Sequence, residues 1–284
     1  GPLPAAVAGG PAAREPRFGR RPPGNQPLRK LPTVADPMIH LEAVSFRYAD
    51  GSLGLEDLTL AIAAGELVVV AGANGSGKTT LLKHLNALFC PQSGRVRVGG
   101  ICTREDPRGV RRRVGMVFQH ADAQIVGETV DEDVAFGPEN LCLPRPEITR
   151  RVDAALEAVG LAHKRHQRPH LLSGGEKRRL TIAGVLAMQP EVVVFDEPFS
   201  SLDLFGVRQV LHQILALKTA GRTLVVTTHD LDKIAAHADR LILLHEGRLV
   251  GEGPPEAVLP AVETYGVRQP EGFRLCGEVR SWLN

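Results

Sequence analysis

The stretch that most constrains this chain is "AGANGSGKTT", Ala71 to Thr80, because it joins two segments with different periodicities. It follows an uninterrupted aliphatic run, Leu67 to Val70, which is typical of a buried parallel strand. Leucines come after it at three- and four-residue spacing: Leu81, Leu82, Leu85 and Leu88. That spacing predicts a helix with one buried face. The chain must therefore pass from strand to helix through glycines, which favours an α/β fold.

The junction matches the pattern G-x-x-x-x-G-K-[ST] from Gly72 to Thr79. Glycines let successive N–H groups and a helix N-terminus point at one place, which suits a phosphate group. Lys78 would then reach the β- and γ-phosphates of a nucleotide, and the Thr79 hydroxyl would ligate magnesium. The alternative is a glycine-rich connector with a solvated lysine, but that does not account for Lys-Thr in the first helical turn.

Composition narrows the class of protein further. The 284 residues are 43% apolar, and 34 basic against 32 acidic residues leave a net charge of +2, too balanced for a nucleic-acid footprint. The four cysteines lie far apart without a C-x-x-C pair, so a zinc site or disulfide framework is not indicated and a reducing, cytoplasmic setting is expected. Apolar runs stay short of the roughly 20 residues that cross a bilayer. Other chains would have to do any membrane crossing.

The expected organisation has three parts. Residues 1–37 are rich in proline, glycine, alanine and basic residues and predict a disordered tail, either native or added upstream of a natural start near Met38. The alternative hypothesis is that this tail is a basic arm that contacts lipid head groups. Residues 38–258 carry the strand and helix patterns of one domain, and residues 259–284 form a C-terminal extension that could add dimer contacts.

Within the patterned domain, an antiparallel hairpin precedes the phosphate-loop strand, and later strands alternate with helices. This order predicts an open, mainly parallel α/β sheet that holds its ligand at the carboxyl ends of the strands. The apolar run in "VVVFDEP" places Asp196 and Glu197 at one such end. Asp196 suits a magnesium shell, and Glu197 suits a base that polarises an attacking water. A plain helix-capping acidic pair is the alternative.

A second loop of interest is "LLSGGEKRRL". Ser173 and Glu176 form a capping box at a helix start, but capping does not explain Gly174 and Gly175, each of which costs a helix about 0.5–1 kcal/mol relative to alanine. Bare amides at a helix N-terminus make another phosphate site. A chain with one phosphate loop and a second phosphate site is most simply explained by a twofold dimer, in which each helix closes over the other chain's nucleotide.

Taken together, these motifs resemble the nucleotide-binding subunit of an ABC transporter, over about residues 39–258. The matching segments, in the family's order, are Walker A (Gly72 to Thr80), the Q-loop (Gln119), the signature (Leu172 to Glu176), Walker B (Val192 to Glu197), the D-loop (Ser201 to Asp203) and the switch histidine (His229). The resemblance implies an α/β P-loop cassette with a mainly parallel core sheet, an antiparallel β subdomain and an inserted helical subdomain over about residues 120–175.

The resemblance also implies an ATP hydrolase that uses ATP and Mg²⁺, and it assigns residues to roles. Catalysis falls to Lys78, Glu197 and His229, and the magnesium ligands would be Thr79, Gln119 and Asp196. Tyr48 would stack on adenine, although a lone tyrosine is usually a packing residue. The nucleotide contacts expected are Tyr48, Gly72, Asn74, Gly75, Ser76, Gly77, Lys78, Thr79, Thr80 and Gln119, with Ser173, Gly174 and Gly175 reaching the other copy's nucleotide.

One further stretch, "VFQHADAQIVGETVDEDVAFGPENLCLP", resembles the Q-loop region of energy-coupling factor transporter ATPases, with His120 and Ala121 replacing the asparagine and proline of the familiar form. Thr129 and Glu132 form a second capping box there. In that family the region receives coupling helices that carry arginines. The expected docking carboxylates are Asp122, Glu128, Asp131 and Asp133. A solvated acidic helix face is the alternative.

The resulting expectation is a peripheral ATPase subunit on the cytoplasmic face of the cell membrane. It would pair with an identical or paralogous cassette and serve a transmembrane coupling subunit and a membrane substrate-binding subunit, without nucleic acid. The cargo expected is cobalt or nickel, with biotin or another vitamin as the alternative. Two alternative hypotheses remain: a soluble ABC ATPase that takes no part in transport, and the cassette of an ordinary importer or exporter.

Overall fold

The computed structural model describes residues 37–283, so the tail predicted over residues 1–37 lies outside the described residues except for Pro37. In chain order the strands are β1 (Ile39–Arg47), β2 (Leu53–Ile62), β3 (Leu67–Ala71), β4 (Ser93–Val98), β5 (Ile101–Cys102), β6 (Val114–Val117), β7 (Val192–Asp196), β8 (Thr223–Thr228), β9 (Arg240–His245) and β10 (Arg248–Gly253). The helices are α1 (Lys78–Leu85), α2 (Pro107–Arg113), α3 (Val130–Asn140), α4 (Arg145–Ala158), α5 (Gly174–Ala187), α6 (Leu204–Thr219), α7 (Pro255–Val258) and α8 (Glu271–Cys276). A helix long and apolar enough to span a bilayer is not found in this described part.

The strands form two sheets. A four-stranded antiparallel sheet has the order β2-β1-β4-β5, and a six-stranded sheet has the order β10-β9-β3-β8-β7-β6. In the larger sheet β9, β3, β8, β7 and β6 are parallel, and β10 returns antiparallel beside β9. The predicted fold class, with its parallel core and antiparallel subdomain, is confirmed.

The parallel sheet separates two apolar cores because its strands alternate. In β3, Val69 and Ala71 pack into the cluster under the helical half, whereas Val68 and Val70 pack against α1 and the antiparallel sheet. Phe195 of β7 faces the helical side, and its neighbour Val194 faces the other. Burial on both faces is the reason these strands read as continuous aliphatic runs. It also holds their carboxyl ends, where the site lies, in a rigid frame.

The helical part consists of α3, α4 and α5, which pack against one another. It therefore continues to Ala187, beyond the limit of about residue 175 expected from the sequence. Both predicted capping boxes are present: Thr129 begins α3, and Ser173 begins α5. These caps fix where each helix starts, and so they fix the position of the loops that precede them.

Helix α1 is shorter than the leucine spacing predicted. Leu81, Leu82 and Leu85 are fully buried, but the helix ends at Leu85 and Ala87 adopts a positive φ of 54°. Leu88 lies past that break and is 48% exposed. Its assignment to the buried stripe was wrong, because the reversal at Ala87 turns the chain away from the core.

The C-terminal residues continue the compact unit formed by the rest of the described chain. Leu259, Val262 and Val267 are buried in the cluster on the helical side of the parallel sheet. Phe273 and Trp282 pack partly buried against the same cluster. The extension expected from residue 259 onward thus shares its core with the sheet.

Candidate active site

The phosphate loop follows β3 directly and has the backbone shape that its glycines allow. Gly75 and Gly77 have φ values of +79° and +100°, a backbone region that residues other than glycine rarely adopt. At Gly72 a Cβ would lie 2.3 Å from the Ser76 Oγ, so glycine is required there by space alone. Gly77 precedes α1 without capping the helix through a side chain. The first amides of α1 are thereby left open to an anion.

Lys78 begins α1 and bends back over the loop. Its Nζ donates to the Gly72 carbonyl at 2.7 Å and to the Ala73 carbonyl at 3.1 Å, and it lies 3.9 Å from the Glu197 Oε1. Burial lowers the pKa of the Lys78 ammonium, and the charges of Glu197 and Asp196 act in the opposite direction. An ammonium desolvated in this way interacts strongly with a phosphate placed beside it.

Thr79 and Asp196 form an oxygen-rich pair between α1 and the end of β7. The Thr79 Oγ1 donates to the Asp196 Oδ2 at 2.9 Å, and the Thr227 Oγ1 of β8 donates to the Asp196 Oδ1 at 2.8 Å. Asp196 is only 3% exposed. A hydroxyl and a carboxylate that face each other are hard oxygen donors of the kind Mg²⁺ prefers, so the residues present fit that ion. Thr227 was missed from sequence, although its place in "VVTTHD" beside His229 was a signal.

Glu197 and His229 meet at the carboxyl ends of the neighbouring strands β7 and β8. The His229 Nδ1 lies 2.9 Å from the Glu197 Oε2, and the two residues are 32 positions apart in the chain. Glu197 has a positive φ of 47°, and its amide donates to the backbone and side-chain oxygens of Thr227, each at 3.2 Å. The turn aims Glu197 away from Thr79, toward Lys78 and His229. The two adjacent carboxylates therefore have different partners, which allows them different tasks.

A single cavity of about 490 Å³ joins most of the predicted nucleotide contacts. It is lined by Tyr48, Ser52, Leu53, Asn74, Gly75, Ser76, Gly77, Lys78, Thr79, Thr80, Gln119, Glu197 and His229. Ser52 and Leu53 were not among the predicted residues, and their turn carried no motif that could have marked them. Gly72 lies beneath the loop and contributes its carbonyl to Lys78.

Tyr48 and Gln119 stand at two edges of this cavity. The Tyr48 hydroxyl is 2.6 Å from the Thr80 Oγ1, and its ring meets Phe46 edge-on with centroids 5.3 Å apart. Gln119 is exposed, and its backbone carbonyl accepts a hydrogen bond from the buried Arg178. The Gln119 side chain is thus free to turn into the cavity while its backbone is held.

The signature residues lie elsewhere in the same chain. Ser173, Gly174 and Gly175 line a depression that also includes Ser201, Leu202 and Asp203 and shares no residue with the phosphate-loop cavity. The Ser173 Oγ accepts from the Glu176 amide at 3.3 Å, and the Glu176 carboxylate accepts from the Ser173 amide at 2.9 Å. An added Cβ at Gly174 or Gly175 would meet no described atom within 4 Å.

The four carboxylates expected to dock a partner have different environments. Asp122 is exposed and pairs with Lys177 at 2.7 Å, Glu128 is exposed, and Asp131 pairs with Arg165 at 2.7 Å. Asp133 is only 8% exposed, and its Oδ1 accepts from the Val126 and Gly127 amides at 2.7 and 3.0 Å. Of the four carboxylates Asp133 is the least accessible to a partner, because it closes the turn before α3.

The fold and the cavity define a P-loop nucleotide hydrolase. The ABC transporter family model matches residues 55–200. A relative from Rhodobacter capsulatus, a cobalt import ATP-binding protein CbiO, is 47% identical over 240 residues, which cover 82% of this chain and 86% of the relative. An energy-coupling factor transporter ATP-binding protein EcfA1 from Symbiobacterium thermophilum is 48% identical over 236 residues, 79% of this chain and 82% of the relative.

Among solved structures, cbiO1 from Clostridium perfringens, part of the ABC transporter complex cbiONQ, superposes with a TM-score of 0.73 at 35% identity. The match covers 81% of this chain and 93% of that one. The chain belongs to the ABC transporter family, and within it to the ATP-binding subunits of the energy-coupling factor type. Like the members of that family, it binds and hydrolyses ATP.

Proposed function

We propose that this subunit powers the import of cobalt, working as a nucleotide-sandwich dimer on the cytoplasmic face of the cell membrane. The observation that carries the catalytic part is the meeting of Lys78, Glu197 and His229 in one cavity beside Thr79 and Asp196. The cobalt import relative at 47% identity supports the choice of cargo. Nickel, biotin or another vitamin is the alternative substrate of the same transporter.

In the proposed mechanism, the loop amides and Lys78 hold the β- and γ-phosphates. Lys78 exchanges two neutral carbonyl partners for phosphate oxygens, which compensates its buried charge better. Thr79, Asp196 and Gln119 would hold Mg²⁺, which supplies charge neutralisation across the phosphates. Glu197 orients the attacking water and accepts its proton, and His229, already in contact with Glu197, faces the γ-phosphate. Tyr48, at the edge of the phosphate-loop cavity, stacks on the adenine ring.

The dimer follows from the separation of the two loops. Ser173, Gly174 and Gly175 do not line the phosphate-loop cavity of their own chain, and a Cβ on either glycine would meet no described atom within 4 Å. A second cassette, identical or paralogous, brings its phosphate loop opposite this helix N-terminus. Closure then depends on bound ATP, and opening follows its hydrolysis.

The membrane partner would dock beside the Q-loop. An apolar groove of about 380 Å³ runs between β6, α3 and α5, and its lining includes the exposed side chains of Leu88, Val126 and Phe136. Exposed apolar side chains grouped in this way mark interaction sites. We assign the groove to a coupling helix of the transmembrane subunit, and we offer Asp122, Glu128 and Asp131, in the segment after Gln119, as partners for basic residues of that subunit. Asp122 and Asp131 are each paired with a basic residue of this chain, and Asp131 contributes least because its side chain is 35% exposed against 78% for Asp122.

The docking assignment is tested with three single variants: a charge reversal at Asp122, a charge reversal at Glu128, and Phe136→Glu. Each variant should lose the transmembrane subunit when purified from native membranes in mild detergent, while ATP affinity stays unchanged. Glu157→Arg, on the exposed face of α4, is the matched control. Retention of the complex by all three variants would contradict the assignment.

The transport function is tested on the native complex. Mass spectrometry of the co-purified integral proteins should identify a coupling subunit and a substrate-binding subunit. Uptake of cobalt, nickel and biotin by cells that carry wild type or Glu197→Gln then names the cargo. A partnerless ATPase would overturn the transport role, and Glu197-dependent uptake of biotin alone would replace cobalt as cargo.

A further inference from the structure

The segment from residue 259 to residue 283 lies against the loop that carries His229, and we call it the C-terminal strap. It comprises a 3₁₀ helix (Leu259–Tyr265), α8 and the residues that follow. The strap is anchored by Val262 and Val267, which are buried in the same apolar cluster as Leu231 and Ile234. Those two residues belong to residues 229–239, here called the switch segment, which begins at His229.

Backbone and side-chain hydrogen bonds join the strap to the switch segment. Asp230, the residue next to His229, forms a parallel β-bridge with Arg268. The Glu271 amide, at the start of α8, donates to the Asp232 Oδ1 at 2.7 Å. An amide that donates to a carboxylate is among the stronger protein hydrogen bonds. Asp230 and Asp232 are thus tied to residues more than 35 positions further along the chain.

Two side chains near the C-terminus add further contacts. The Ser281 Oγ is 3.0 Å from the His237 Nε2. Lys233, which pairs with Asp230 at 2.9 Å, also places its Nζ 5.9 Å from the centre of the Trp282 ring. The strap therefore contacts the switch segment near its beginning, middle and end.

The other side of the strap lies beside the phosphate loop. A Cβ added at Gly266 would be 3.5 Å from the Cβ of Ala73. The Tyr265 ring lies with its centre 5.3 Å from that of His245, at the end of β9. The strap thus sits against both loops that face the γ-phosphate in the proposed mechanism.

The switch segment needs such support because it has little regular structure of its own. Strand β8 ends at Thr228, and the residues that follow form two single 3₁₀ turns, Leu231–Lys233 and Ala235–His237. Single turns have few internal hydrogen bonds, so their position depends on what packs against them. The His229 side chain is itself 60% exposed and is held mainly by Glu197.

We propose that the C-terminal strap positions the switch segment, with Asp232 as the residue through which it acts on His229. Asp232 is a positioning residue, because it touches the strap and not the nucleotide. Loss of this tie leaves the nucleotide able to bind at the phosphate loop but leaves His229 poorly placed for hydrolysis. The inference rests on the proposed role of His229.

The test compares Asp232→Ala with Asp232→Asn, whose amide oxygen can still accept from the Glu271 amide. Asp232→Ala should lower kcat about three- to ten-fold with little change in the KM for ATP, and Asp232→Asn should keep most of the activity. Ser281→Ala, a milder change in the same contact surface, should give a smaller loss of kcat. Arg274→Ala, on the exposed side of α8, is the control and should behave as wild type.

Two further measurements separate positioning from general stability. Hydrogen exchange of the peptide that contains residues 229–239 should rise in Asp232→Ala while the melting temperature changes little. His229→Ala is measured alongside: if it retains normal turnover, the proposed role of His229 fails. If His229→Ala is impaired but both Asp232→Ala and Ser281→Ala retain wild-type kcat, the strap has no positioning role. Equal loss in Asp232→Ala and Asp232→Asn would also overturn the inference.

Discussion

The phosphate loop and the signature loop are both glycine-containing starts of helices, and they differ in what surrounds their glycines. A Cβ at Gly72 would lie 2.3 Å from the Ser76 Oγ, and one at Gly77 would lie 2.6 Å from the Gly54 carbonyl oxygen. At Gly174 and Gly175 the described chain offers open space. The fold of this chain itself requires glycine in the first loop, whereas in the second loop the proposed partner cassette would impose the requirement.

The same contrast extends to the polar groups. At the phosphate loop, Lys78 lies beside Glu197 and Thr79 donates to Asp196, so the side chains of the proposed catalytic half are already grouped. In the signature loop Ser173 and Glu176 bond each other, and Glu176 also accepts from Lys164. The phosphate loop is preorganised for chemistry, and in the proposed dimer the signature loop is a stable helix end that meets the partner cassette. Predictions that separate the two loops follow, from the largest expected effect to the smallest.

Glu197→Gln should have the largest effect on the catalytic half. Removing one preorganised group of this kind costs about 3–4 kcal/mol of barrier, so phosphate release should fall about 10²–10³-fold. ATP binding should persist and leave a dimer trapped with ATP, detected by size-exclusion chromatography. Glu263→Gln, an exposed carboxylate, serves as the control. Normal turnover in Glu197→Gln would refute the proposed role of Glu197.

Lys78→Ala should weaken nucleotide binding itself. Hydrogen bonds to charged groups contribute about 1.5–3 kcal/mol, so the Kd for ATP should rise about ten- to a hundred-fold. Equilibrium binding of a fluorescent ATP analogue measures it. Lys83→Ala, on the same helix, should bind normally, and unchanged affinity in Lys78→Ala would show that the amides alone hold the phosphates.

Alanine in each loop tests the glycine comparison directly. Gly72→Ala should destabilise the fold by about 1–3 kcal/mol, because the methyl group has no room. Gly175→Ala should leave the fold as stable or raise its stability by up to about 1 kcal/mol, yet lower ATP hydrolysis, because the methyl group projects into the dimer's nucleotide site. Chemical denaturation and turnover are measured on both variants. Full activity of Gly175→Ala would place the signature loop outside the composite site.

The smallest effect concerns acid stability of the signature helix. The hydrogen bond from Lys164, together with those at Ser173, lowers the pKa of Glu176 from 4.5 to about 2. Because the folded pKa lies below the unfolded one, this stabilisation is complete above about pH 4.5 and is lost as the pH falls toward 2. Between those values the melting temperature of Glu176→Gln should fall less steeply than that of wild type. Glu157→Gln, which keeps Glu176, is the control. If the melting temperatures of Glu176→Gln and Glu157→Gln fell equally steeply with pH, the link between the Glu176 pKa and stability would be contradicted.

Much of this molecule was predictable because its signals are local. The strand and helix around Gly72 to Thr79, and the capping boxes at Thr129 and Ser173, depend on residues within a few positions of one another. The exposure of Leu88 and the burial of Asp133 were missed for the opposite reason. Periodicity cannot register the reversal at Ala87, and an acidic run does not show which carboxylate folds inward onto the amides before α3.

The sequence by itself determined the phosphate loop and the order of strands and helices, because hydrophobic periodicity, glycine conformation and capping act over short distances along the chain. The family followed from the resemblance of the sequence motifs to those of known ABC transporter subunits. Only the tertiary structure decided that Glu197 meets His229, that Thr227 holds Asp196, and that the C-terminal strap lies against the switch segment. Each of these contacts joins residues more than thirty positions apart. Such contacts exist only once the sheet brings the strand ends together, so their geometry belongs to the fold as a whole.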